Sequence, residues 1–347
     1  MGETVRNASR PASRGPSVAS AGRSARHVVG PVPAAARVAA GFTLAGAVAL
    51  VVAGALPYAD VGERAVSAAP LAWLASWLWP LALVGAAASV LAGRLPRLGL
   101  AAIAVSGALA VGLTTTEAYQ LADAGSHRAV EVFLGQRLVT SELLAGPGVA
   151  VTLTAYALLV SALVTTLIAW PRTTMEDSGD FEALRPRALV ASAIAALPGA
   201  LSVVAPVHTA PDEVVESISG LRMTLEVPAD VALPERLGLD LLGGGLLAAA
   251  VVITALLAAT LRPRLASVGA YAGLAAYFLS TGLVALAEAG RYADLLIGPG
   301  GWLLLVAGVL FAATAGWALR ASPADVEDVL APASPTVAGP TRPYNVR

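Results

Sequence analysis

Eight stretches of about 20 residues run through this chain almost without charge, and that is the length an α-helix needs to cross the hydrocarbon core of a bilayer. They cover approximately 38–57, 71–93, 98–116, 148–170, 188–207, 241–261, 265–287 and 301–319. In lipid every backbone polar group must find its partner within the protein, so such stretches have one regular solution, the helix. The sequence therefore predicts an all-α integral membrane protein with eight transmembrane helices. Composition agrees: 57% of residues are hydrophobic and 13% charged. Mean hydropathy is +0.74. A soluble domain is about 25% charged, and a globule with the present composition would leave large apolar patches in water.

Charge sets the expected orientation. With the N-terminus inside and even spans returning inward, 16 of the 22 Arg fall on the cytoplasmic side. The tight turns Arg94-Leu-Pro-Arg97 and Arg262-Pro-Arg264 are the clearest positive-inside marks. Acids divide the other way, 8 inside and 15 outside. Both termini are thus expected in the cytoplasm. All basic residues are Arg and none is Lys. Lys-free, Ala- and Arg-rich usage is a mark of GC-rich coding and points to a bacterial plasma (inner) membrane.

The predicted organisation has five parts. Residues 1–35 form a basic, Arg/Ser/Pro-rich arm expected to be disordered, a transit peptide being the lesser alternative. Residues 36–172 form a first four-helix unit, 173–187 an acidic cytoplasmic linker, 188–320 a second four-helix unit, and 321–347 a disordered tail. Ala53-Gly54-Ala55 resembles a leader-cleavage site, but the long basic lead favours an uncleaved first span.

The two units look like tandem copies. Pro96-Arg97-Leu98 matches Pro263-Arg264-Leu265, and Leu143-Leu-Ala-Gly-Pro-Gly148 matches Leu295-Leu-Ile-Gly-Pro-Gly300. Each Gly-Pro-Gly directly precedes the last span of its unit, and the first span of each ends at a proline, Pro57 or Pro206. Four spans per copy make the repeats parallel. Pro suits the first turn of a helix and Gly permits the bend before it, so the motif is read as structural.

Small residues at four-residue spacing, Gly85/Ser89/Gly93, Gly269/Gly273 and Gly308/Ala312/Gly316, are expected to let helices approach closely. Packing within the chain is the favoured use; a homodimer is not indicated. Trp73, Trp77 and Trp79 are expected in an interfacial belt, as are Trp170, Trp302 and Trp317. Pro198-Gly199 is the one candidate for a broken helix, with a simple kink favoured. The alternating segment 221–227 predicts a strand in a small extracytoplasmic β element, with 128–134 as its expected partner.

Chemistry is sparse. The chain has no Cys, which removes disulfides, thiolate nucleophiles and Cys-bound metals. It has no Lys for a Schiff base, which removes retinal and pyridoxal phosphate chemistry. No ionisable side chain lies in the middle of a span; Glu117 and Glu288 fall at the outer ends of the third and seventh. That counts against proton- or sodium-coupled transport and intramembrane hydrolysis. Mild polar groups remain at depth: Ser106, Tyr156, Ser161, Ser192, Tyr277 and Ser280, expected to bond between helices. His208, Asp212 and Glu216 would share a helix face, but they fit no metal signature and read as solvated acidic surface. No phosphate loop, dinucleotide fingerprint, nucleophile elbow or nucleic-acid module is present. The sequence thus designates no catalytic, cofactor-binding or metal residues and no cofactor. It leads to a non-enzymatic membrane scaffold or accessory subunit, embedded in the lipid bilayer and binding a protein partner through outer loops. The alternative is a permease or channel-like protein for a neutral or apolar solute.

Overall fold

The computed structural model describes residues 28–61, 64–122, 128–133, 136–176, 184–211, 213–216, 222–225, 232–236, 238–291 and 295–320. Most of the basic arm, residues 177–183 of the linker and the whole tail lie outside them.

Eight helical segments are long and apolar enough to cross a membrane, and each of the eight expected stretches falls on one of them. They are α1 (Ala34–Ala55), the pair α2 (Pro70–Ser76) and α3 (Leu78–Leu91), α4 (Pro96–Ala122), α5 (Pro147–Ala169), α6 (Arg185–Val204), α7 (Gly238–Ala258), α8 (Arg264–Ala289) and α9 (Pro299–Arg320). Local chemistry sets their ends. Gly93 takes φ +66°, closes α3 in the left-handed turn that a Cβ disfavours, and Pro96 opens α4 three residues later.

α4 and α8 are the most buried helices and pack on each other in the centre of the bundle. Missing side chains bring them close. A Cβ at Gly269 of α8 would strike the Leu98 carbonyl of α4, and one at Gly107 of α4 would lie 2.6 Å from the Leu159 carbonyl of α5. Of the expected small-residue ridges, Gly269/Gly273 is therefore an intramolecular seam, whereas Gly85 and Gly316 face open space.

The other helices pack on this pair in two sets. α1 packs on α5, which packs on α4; α6 packs on α9, which packs on α8. β2 (Ala59–Val61) pairs with β5 (Gln136–Ala145), setting Ala59 opposite Ala145. β7 (His208–Thr209) pairs with β10 (Leu296–Ile297), setting His208 opposite Ile297. The Gly-Pro-Gly motifs then bond alike. Gly146 and Gly148 donate their N–H groups to Tyr58 and Pro57 carbonyls at 2.8 and 2.9 Å, while Gly298 and Gly300 donate to Val207 and Pro206 at 2.7 and 2.9 Å. Glycine is required there because a side chain at Gly146 or Gly298 would press on the Pro57 or Pro206 carbonyl.

Two expectations change. β9 (Arg222–Leu225) does occur where the alternation placed a strand, but it pairs with β8 (Glu213–Glu216). The other expected strand, β4 (Arg128–Phe133), pairs with β5, which joins β2 and β3 (Arg64–Val66) in a four-stranded sheet. Short local connections won over the long-range pairing, since closing a small loop costs less entropy. Of the two readings of Pro198-Gly199 the break is the one not found: α6 runs unbroken through Pro198, and Gly199 is the site where the Phe278 ring packs against it. The break lies instead at Trp77, between α2 and α3. Pro80 has no N–H to give the Ser76 carbonyl four residues earlier, and Ser280 Oγ of α8 donates to that carbonyl at 3.2 Å and to the Ala75 carbonyl at 3.1 Å. Finally, Trp79 is no belt residue: it is 6% exposed and sits in the core.

Candidate functional site

The displaced α2–α3 break and the Trp79 ring lead to the same place. A cavity of about 620 Å³ is walled by α1, α2, α3, α4, α5 and α8 at the end of the bundle that carries β2. Arg291, Glu288 and Ser67 stand at that end; Trp79 and Tyr277 form the floor. Tyr277 lies about 16 Å below Glu288 along α8, at 1.5 Å per residue.

The floor is a fixed aromatic cluster. Trp79 Nε1 donates to Ser106 Oγ at 3.2 Å, which sets the plane of the indole. Tyr277 meets that indole edge-on with centroids 5.1 Å apart, and Tyr156 lies tilted on it at 6.4 Å. Tyr277 also packs edge-on against Phe278, which stacks on Phe311 at 5.7 Å, so the cluster continues into the solid core between α6, α8 and α9. On the other side of Trp79 lies a second void of about 260 Å³, lined by Gly85, Leu98, Ala102, Gly269 and Gly273. The indole thus separates two spaces placed in sequence along α4 and α8.

The wall hydroxyls are largely consumed by the backbone. Ser76 Oγ donates to the Trp73 carbonyl at 2.6 Å, Thr281 Oγ1 to the Tyr277 carbonyl at 2.9 Å, and Ser280 to α2 as above. The carboxylates differ from each other. Glu288 Oε1 accepts the Ala69 N–H at 3.0 Å, at the N-terminus of α2, where a negative charge is favoured. Its other oxygen is 3.8 Å from Arg291 Nη1, which also donates to the Ser67 carbonyl at 2.8 Å. Glu117 accepts one hydrogen bond, from the Tyr58 phenol at 3.0 Å. Desolvation by the surrounding protein, and then the Glu117 charge, hold the Tyr58 phenol above its ordinary pKa, so it remains a donor. Among the residues whose side chains are described, no cation pairs with Glu117.

The remaining polar residues named from sequence sort differently. Ser192 Oγ and the Tyr271 hydroxyl bond between α6 and α8 at 2.6 Å, whereas Ser161 bonds its own helix. His208 lies in β7 and its Nε2 is 3.1 Å from the Ala285 carbonyl; Glu216 ends a strand and Asp212 lies outside the described residues, so the three do not share a helix face. Arg97 does more than mark a side of the membrane. It donates to the Thr173 and Arg262 carbonyls, both at 2.8 Å, and lies 5.5 Å over Trp170. Sequence reasoning noted Glu117, Glu288, Tyr156 and Tyr277 without joining them. The one signal available was the coincidence of buried-type aromatics with acids at the ends of the third and seventh spans.

Set against known proteins, the chain matches no family model, no curated protein and no solved structure.

Proposed function

We propose that the protein is a permease-like membrane protein that takes a small solute into the cavity above Trp79. One observation carries the reading. A recess of about 620 Å³ at one end of the bundle, mainly apolar and with a few converging polar groups, lies between helices from both halves and is followed by a second void beyond a single ring. Ligand sites have this size and lining, and they favour the seams between helices. The matched Gly-Pro-Gly bonding supports two parallel four-helix repeats as the framework. The positive-inside count supports both termini in the cytoplasm, and on that reading the cavity faces the outer side. The strands at the β2 end then form an extracytoplasmic β element.

Vesicles reconstituted with the protein test this directly. A panel of small neutral and charged solutes is offered, and flux is compared with that of Thr152→Trp, which fills the cavity from α5. Flux of at least one solute, abolished by the plug, is expected. Equal flux in both proteins, or none across the panel, refutes the reading.

A scaffold role is the second reading, and the four-stranded sheet β3-β2-β5-β4 favours it by offering an ordered surface beyond the helices. Stoichiometric co-purification of a protein partner, lost when residues 208–240 or the β4–β5 hairpin are deleted without loss of insertion, would support it.

A further inference from the structure

Resting on the solute-cavity reading, we infer that the solute is an organic ammonium ion with an apolar body, held over the Trp79, Tyr156 and Tyr277 rings and countered by Glu117. Charge balance comes first. The Glu288 carboxylate is compensated within the protein, by Arg291 and by the start of α2. The Glu117 carboxylate lines the same cavity with one neutral donor, Tyr58. The Glu117 carboxylate is partly open to water and has a single neutral donor, so it is free to attract a cation that enters the cavity.

The floor then selects the kind of cation. A metal ion of the calcium type is held by several carboxylate and carbonyl oxygens, and of the two carboxylates lining this cavity Glu288 is already engaged by Arg291. A primary ammonium wants acceptors for three protons. A tertiary or quaternary ammonium wants neither. It is weakly hydrated, and it is bound by the faces of aromatic rings together with a nearby negative charge. Trp79, Tyr156 and Tyr277 supply three rings at different tilts, 75° and 40° to the indole, and the Ser106 bond holds the indole in place. An apolar body suits the rest of the lining, which includes Leu50, Leu113 and Val284.

Binding to the purified full-length protein in detergent, measured by calorimetry, tests the inference with three probes of similar size. These are benzyltrimethylammonium, neutral benzyl alcohol and anionic benzenesulfonate. The cation is expected to bind at least about tenfold more tightly than either other probe, as one opposed charge in a shielded site supplies. Glu117→Gln keeps the Tyr58 bond and the fold, and is expected to weaken cation binding at least about tenfold without changing the melting temperature. Trp79→Phe is expected to retain binding and Trp79→Ala to lose it. If benzyl alcohol binds as tightly as the cation, or Glu117→Gln leaves cation binding unchanged, the ammonium assignment is overturned while the cavity stands as a solute site. If no probe binds better to the wild type than to the plugged Thr152→Trp variant, the cavity reading falls with it.

Discussion

At the scale of single residues, the protein is governed by what glycine and a few polar atoms make room for. Gly146 and Gly298 let the starts of α5 and α9 lie against the exits of α1 and α6, and Gly85 on α3 faces open space. The same substitution should therefore act in opposite directions. Gly146→Ala and Gly298→Ala are each expected to lower the melting temperature, since a Cβ there meets backbone that cannot yield. Gly85→Ala is expected to raise it slightly, Ala being about 0.8–1 kcal/mol better than Gly in a helix interior. Thermal melts in one detergent decide this, and a loss at Gly85 equal to that at Gly146 would contradict it. The Tyr58–Glu117 bond makes a second case. Tyr58→Phe removes the donor of a partly exposed bond and is expected to cost about 0.5–1.5 kcal/mol. Tyr58→Phe combined with Glu117→Gln should recover part of that loss, because no full charge is then left stranded.

At the scale of elements, the α2–α3 break shows one half of the molecule repairing the other. Pro80 leaves the Ser76 carbonyl without a helical donor, and Ser280 reaches across from α8 to supply one. Ser280→Ala is expected to destabilise the wild type by about 0.5–1.5 kcal/mol and a Pro80→Ala background by clearly less. The coupling measured in the double-mutant cycle would isolate the pair. Additive losses would show that Ser280 acts elsewhere. The break also explains what the sequence could and could not disclose. Eight apolar stretches admit one regular structure in lipid, so the helices were legible to within a few residues. A proline kink depends on whether a neighbour can satisfy the freed carbonyl, and that neighbour lies some 200 residues away. Pro198 and Pro80 therefore look alike in sequence and behave differently. The strand at 222–225 was legible from its alternation, but its partner was set by loop length. The cavity was not legible, because its walls come from six helices. Trp79 sits in a Trp cluster whose composition matches an interfacial belt equally well.

At the scale of the whole molecule, the halves are fastened at both ends. Glu288 and Arg291 hold the segment before α2 at one end. At the other, Arg97 bonds the Arg262 carbonyl. The arginine-rich end should be cytoplasmic, since carrying those guanidinium groups across the bilayer is costly and cytoplasmic turns collect them. The absence of native Cys makes this measurable without background. Ser67→Cys is expected to react with a membrane-impermeant maleimide on intact cells. Thr174→Cys, at the arginine end beside β6 (Met175–Glu176), is expected to react only after permeabilisation. The opposite pattern would turn the cavity mouth toward the cytoplasm. The Glu117 site would then draw its solute from inside the cell, and vesicle flux would have to be assayed as export. Labelling of both positions on intact cells would mean that the helices do not hold one orientation. In that event the positive-inside count, which rests on the turns at Arg94–Arg97 and Arg262–Arg264, would not govern insertion of this chain.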